Sequence, residues 1–165
     1  MDIQTIYERQ CSRVYRIAML YLKNTSDAED AVQNIFLKYM EKKPSFCDEN
    51  HEKAWFITVT GNYCKDILRT FWRRKVDFVE LPEQAEQQDD SVDLIQYILK
   101  LQPKYREVLY LYYYEGYSVR EVARILKRAE STVQTQLAAA RKRLRTLLEE
   151  EGGYFDGREK IARRV

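Results

Sequence analysis

Two apolar stripes separated by four residues constrain this chain more than any other feature. Val119, Val122, Ala123, Ile125 and Leu126 keep the i, i+3, i+4, i+7 spacing of one helix face. Val133, Leu137, Ala140, Leu144 and Leu147 step by four, three, four and three, so the next stretch also buries one face as a helix. Residues 127–130 leave room only for a tight turn between them. Ser118 opens the first helix with Glu121 three residues on, a pairing that satisfies two orphan amides reciprocally. The spacing predicts a helix-turn-helix over residues 118–144. Thr132, Gln134, Thr135, Gln136 and Arg141 fall off the second stripe, and such side chains suit base edges and phosphates. A helical hairpin with a solvated outer face is the plainer reading of the same spacing.

Five glycines and three prolines leave few breakers, and nearly every periodic stretch has the helical period, so the predicted class is all-α. The net charge of +2 says little about partners, but its distribution is informative. Residues 77–93 hold seven acidic groups and no basic one, between blocks that are each net basic. The expected organisation is a domain at 1–76, an acidic linker at 77–93, a second domain at 94–150 and a tail at 151–165. Cys11, Cys47 and Cys64 are odd in number and widely spaced, with no C-x-x-C and one histidine, His51. That pattern excludes a zinc site and fits a reduced, cytoplasmic location. No secretory signal and no bilayer-length apolar run is read, so no membrane insertion is expected. No constellation of nucleophile, base and metal appears, and the chain is expected to be no enzyme and to need no cofactor.

Taken in order, Ile3, Tyr7, Cys11, Val14, Ala18 and Tyr21 predict a first helix ending near Lys23. Ser26 with Glu29 reads as a capping box for the next, with Asp27, Glu29 and Asp30 at the positive end of its dipole. Ala28, Val32, Ile35 and Tyr39 face inward, and Asp27, Asp30 and Gln33 outward; a solvated acidic helix start is the plainer reading. A polar loop with Pro44 and Phe46 precedes a helix over about 52–75, lined by Trp55, Val59, Tyr63, Ile67 and Phe71. Its other faces carry Asn62, Lys65, Arg69, Trp72, Arg73, Arg74 and Lys75. Cations interleaved with aromatics compose a single-strand-binding surface, although an ordinary core explains Trp55 and Phe71 equally well. Leu94, Ile95, Ile98, Leu99 and Leu101 predict a short helix stopped before Pro103. Another spans 104–115 with Tyr105, Val108, Leu109 and Tyr112 inward, closed by Gly116 as a left-handed cap. Gly152 and Gly153 end the last helix, and the tail beyond reads as either an amphipathic segment or a disordered one.

These residues resemble a known family. Asp27-Ala28-Glu29-Asp30-Ala31-Val32-Gln33-Asn34-Ile35-Phe36 is similar to the A-E-D-x-x-Q-x-x-F motif of bacterial sigma factors. The stretch from Ala54-Trp55-Phe56-Ile57 through Asn62, Asp66, Arg69 and Arg73 resembles their W-x-x-x-I-A-x-N-x-x-x-D-x-x-R block. Leu101-Gln102-Pro103, Arg106-Glu107-Val108, Glu115-Gly116-Tyr117-Ser118 and Thr132-Val133 resemble the second conserved domain. The match runs over about residues 5–148 and is to the small extracytoplasmic-function group, which keeps regions 2 and 4 and lacks region 3.

The resemblance implies an alternative sigma factor that binds core RNA polymerase, directs it to promoter DNA and opens the start site. It implies that Asp27, Asp30, Gln33 and Phe36 meet the polymerase clamp helices. Asn62, Arg69, Trp72 and Arg73 would hold the −10 strand, with Phe46 stacking on a flipped-out base. Thr132, Gln134, Thr135, Gln136 and Arg141 would read the −35 duplex. The acidic linker would run in the polymerase's RNA path, and an anti-sigma factor is an optional further partner. Lys127 replaces the family's usual turn glycine, Arg128 an apolar residue and Ala129 a capping serine. The rival reading is a stand-alone helix-turn-helix regulator of duplex DNA. It requires a phospho-acceptor aspartate on a strand or a ligand pocket, and the N-terminal half has no strand pattern.

Overall fold

The computed structural model describes residues 2–73 and 96–150, which form helices and turns and contain no strand. The linker predicted at 77–93, the basic residues Arg74 and Lys75, and the tail with Gly152 and Gly153 lie outside the described residues. The chain divides into two compact units, Met1–Glu83 and Gln84–Val165.

The first unit packs three helices, each against the other two: α1 (Ile3–Leu22), α2 (Thr25–Lys42) and α3 (Glu49–Arg73). Lys23 ends α1 in the left-handed region at φ 56°, which turns the chain at once into α2. The cap of α2 differs from expectation. Asn24, rather than Ser26, accepts the Asp27 amide at 3.0 Å, because α2 begins at Thr25 and Ser26 already lies inside its first turn. Likewise α3 starts three residues before Glu52, with the Asp48 carboxylate accepting the His51 amide at 2.8 Å.

Ile6, Val14, Ile35, Phe36 and Phe56 form the core, with Val32, Tyr39, Trp55, Val59 and Tyr63 packed around it. Two predicted stripes are shifted. On α1 the buried positions include Ile6 and Gln10, whereas Ile3 and Tyr7 are exposed. On α3 they include Glu52, Phe56, Ile57, Thr60 and Cys64, and Trp55, Val59 and Tyr63 form the half-buried rim. One buried carboxylate accounts for part of both shifts. Glu52 is 2% exposed and accepts from Arg9 Nε at 2.9 Å, Arg9 Nη2 at 2.6 Å and Gln10 Nε2 at 2.7 Å. A charge taken out of water needs such partners, so α1 turns Gln10 inward toward it. Thr60 fits the core because its hydroxyl donates to the Phe56 carbonyl at 2.6 Å.

In the second unit, residues 96–99 are helical, followed by α4 (Pro103–Leu109), α5 (Val119–Leu126) and α6 (Glu130–Glu150). Proline at the first position of α4 forfeits only an amide that would lack a partner anyway. Tyr110–Tyr114 then form one π-helical turn, whose extra residue slides the register. Tyr110 and Leu111 are therefore buried, and Tyr112, expected inward, is half-exposed. Gly116 takes φ 77° and the chain enters α5 through the predicted Ser118–Glu121 capping box, with both bonds present at 2.8 and 3.2 Å. Lys127 sits at φ 55°, where a side chain costs about 1 kcal/mol relative to glycine. Val122, Val133, Leu137, Ala140 and Leu144 fill the core as expected, with Leu148 buried in place of Leu147.

Candidate nucleic-acid and partner interfaces

On α2, Asp27, Asp30 and Gln33 are exposed, and Leu37 and Met40 continue the same stripe at steps of four and three. These two apolar residues, 52% and 45% exposed, were missed by motif reasoning, yet the stepping that carries them is visible in the sequence. Phe36 does not belong to this surface. It is 5% exposed, with its ring 4.8 Å from Tyr7 and 5.3 Å from Phe56, because its position falls on the core side of α2.

Phe46 sits half-buried in the loop before α3, stacked near-parallel with Tyr39 at 6.4 Å and edge-on to Trp55 at 5.9 Å. The Cys47 amide donates to His51 Nδ1 at 3.2 Å and closes the loop onto the start of α3. Burial raises the Tyr39 hydroxyl above its ordinary pKa, with the Glu52 carboxylate adding and Arg9 opposing. Tyr63 is raised in the same way, and its hydroxyl accepts from Asn34 at 3.0 Å, joining α2 to α3. Asn62 and Arg69 are exposed on α3, with Arg69 bonded to Asp66 one turn earlier at 2.5 Å. Trp72 and Arg73 close α3, and their side chains lie outside the described residues.

The second unit brings together some of the predicted reading residues and ties others down. Thr132, Gln134 and Thr135 are exposed along the first turns of α6, with the Thr135 hydroxyl donating to the Ser131 carbonyl at 2.9 Å. Gln136 is half-buried and accepts from Arg128 Nη1 at 3.0 Å. Arg141 was expected to stand off the helix. Its Nε instead donates to the Tyr113 hydroxyl at 2.7 Å, and its guanidinium lies 5.9 Å from both the Tyr112 and Tyr113 rings. The π-turn supplies those rings, so the sequence pattern had no means of pointing to them. Sequence reasoning also missed Glu107 as the second partner of Arg128; the one signal was a cation in a turn position where an apolar residue was expected.

Among the described residues no group of His, Cys, Asp and Glu could hold a metal ion, and no helix is long and apolar enough to cross a membrane. The surfaces that remain are an acidic and apolar helix stripe, an aromatic loop beside exposed polar groups, and a helix presenting hydroxyls and amides.

Comparison with known proteins identifies the family. The model of sigma-70 region 2 matches residues 6–74, and that of sigma-70 region 4 matches residues 91–144. The extracytoplasmic-function (ECF) sigma factor SigM of Mycobacterium tuberculosis is 26% identical over 155 residues, covering 92% of this chain and 77% of its own. The sigma factor SigV of Bacillus subtilis is 28% identical over 141 residues, covering 83% and 85%. The fold is shared with the sigma factor RpoE of Bartonella quintana, solved with the anti-sigma factor NepR, at TM-score 0.76 and 24% identity over 90% of this chain and 97% of that one. CnrH, solved with the cytosolic domain of CnrY, gives TM-score 0.63 at 20% identity over 90% and 88%. With both regions present, in order, and relatives spanning nearly its whole length, the chain belongs to the sigma-70 family of RNA polymerase sigma factors, in its extracytoplasmic-function group.

Proposed function

We propose that the chain joins core RNA polymerase as a non-enzymatic, cytoplasmic initiation factor, selects promoters through both units and opens the start site. The observation that carries this reading is the α2 stripe. Asp27, Asp30 and Gln33 lie exposed beside Leu37 and Met40, a composition suited to a basic helical partner that also offers apolar contacts. Phe36 supports that stripe from behind. Phe46, Asn62, Arg69, Trp72 and Arg73 take the melted −10 strand, the first by stacking and the cations through phosphates. Thr132, Gln134, Thr135 and Gln136 face the −35 duplex, with Arg141 a phosphate contact oriented by Tyr113. An anti-sigma factor is a fitting regulator, since a sigma factor of the same fold is solved with one. The residues at 77–93 serve as the acidic connector in the polymerase's RNA path.

Titration of core polymerase against wild type and Asp30→Arg tests the assignment. Asp30 is exposed, so the variant keeps its helical content, and reversing an interface charge should weaken core binding by about 2–5 kcal/mol. An unchanged affinity removes the α2 stripe from the polymerase interface.

A further inference from the structure

The guanidinium of Arg128 is shared between two helices. One arm, Nη2, donates to the carboxylate of Glu107 on α4, which is 4% exposed; the other, Nη1, donates to Gln136 Oε1 on α6 at 3.0 Å. A guanidinium carries donors only, so the atom of Gln136 that faces it must be the carbonyl oxygen. The orientation of this side-chain amide, ordinarily free to flip, is therefore set by the chemistry of its partner. Its NH2 makes no hydrogen bond to any described residue. Gln134, two residues earlier, is exposed and has no such clasp.

We propose that Arg128 is a specificity-determining residue of the reading helix: by holding Gln136 Oε1 toward the turn it makes Gln136 meet DNA through its NH2. The proposal rests on the −35 role of α6 given above. An unconstrained glutamine pairs with adenine by accepting from N6 and donating to N7. Gln136 Oε1 keeps a second lone pair, but with the oxygen held toward Arg128 the amide does not turn both its oxygen and its NH2 to one adenine edge, and its NH2 alone meets adenine's N7 beside the N6 donor. Its NH2 matches the O6 and N7 acceptors of guanine, or O4 of thymine, whereas cytosine offers a donor in the major groove. Glu107 is part of the device, because its buried carboxylate anchors the guanidinium in the turn and keeps the second arm aimed at Gln136.

Promoter-library selection with reconstituted holoenzyme, made of core polymerase and the full chain, tests this. Gln136→Ala identifies the position concerned: wild type should enrich guanine or thymine there, and the alanine variant should flatten the choice. Arg128→Met combined with Glu107→Gln removes the clasp without stranding a buried carboxylate. At the same position it should raise adenine about tenfold relative to wild type, a gain that adding Gln136→Ala abolishes. Gln136→Glu keeps the Arg128 arm filled but carries no donor, so it should lose the wild-type choice; it also preserves the packing if the double variant does not fold. Adenine already preferred by wild type at that position, an unmoved choice in the folded double variant, or a wild-type choice retained by Gln136→Glu would each overturn the proposal. A wild-type chain that selects no −35 sequence at all would instead remove the −35 role on which it stands.

Discussion

Both units fasten their helices with an arginine on a buried carboxylate, but the remaining donors go to different places. In the first unit both oxygens of Glu52 accept from α1, and Gln10, which is itself buried, completes the set. The knot is turned inward and fixes where α3 starts against α1. In the second unit Arg128 anchors on Glu107 and sends its other arm to half-buried Gln136, at the edge of the face proposed to read DNA. Arg141 is held differently, by the Tyr113 hydroxyl and the Tyr112 and Tyr113 rings. An arginine–carboxylate pair is weak evidence of stability by itself, since desolvation offsets much of the attraction. What the pair does is decided by the third group it holds: a core amide in one unit, an amide on the proposed reading helix in the other.

The comparison predicts that breaking the first knot costs stability and breaking the second alters choice. Glu52→Ala removes three α1–α3 hydrogen bonds and leaves the buried Gln10 Nε2 without its carboxylate acceptor, so it should destabilise the first unit by about 3 kcal/mol. Urea unfolding followed by tryptophan emission reads this unit, because Trp55 and Trp72 both belong to it. The −35 preference of the assembled holoenzyme should not move, and a change there would erase the distinction between the two knots.

A pH window should likewise mark the first unit, which holds all three cysteines. Burial pushes the Cys64 thiol from 9.0 up to about 12. As pH rises the unfolded thiol ionises first, so the stability associated with a neutral, buried Cys64 is whole below pH 9 and is lost between pH 9 and about 12. The urea midpoint should fall through that window, and Cys64→Ala should flatten the fall. At pH 8 a thiol reagent should label exposed Cys47 in the native chain and leave Cys64 untouched until unfolding.

Smaller effects sharpen the contrast within the second unit. Gln134 has a free amide and can make the full adenine pair, so one −35 position should be adenine. Gln134→Ala should relax that position by about 1–3 kcal/mol while sparing others, as read by library selection. Smallest of all, Lys127→Gly relieves a left-handed side chain and should stabilise the helix-turn-helix by about 0.5–1 kcal/mol in a thermal melt. A destabilised Lys127→Gly would mean that the side chain makes a compensating contact.

The contrast also explains how much the sequence could reveal. Apolar periodicity located α1, α2, α3 and the helix-turn-helix, and the Ser118–Glu121 pair marked a cap correctly because both partners are local. Ser26 and Glu29 have the same spacing and failed, since Asn24 stood nearer the turn made by Lys23. Buried polar groups lay beyond apolar periodicity: it gave Gln10, Glu52 and Thr60 no inward place, and each lies inside with a bond to a specific partner. Phe36 was placed with the clamp-helix surface from the family motif and packs inward from its helical phase. Asp27, Asp30, Gln33, Asn62, Thr132, Gln134 and Thr135 are exposed, as their helical phase predicts. The clasp on Gln136 and the hold on Arg141 were invisible, because their partners lie eight and twenty-eight residues away and the π-turn shifts the second.

Run-off transcription from a library of promoter-length fragments, by core polymerase with and without this chain, tests the central claim most directly. Chain-dependent transcripts with defined start sites, preceded by shared −35 and −10 elements, are the predicted result. A chain that binds duplex DNA yet leaves initiation by core polymerase unchanged would contradict it.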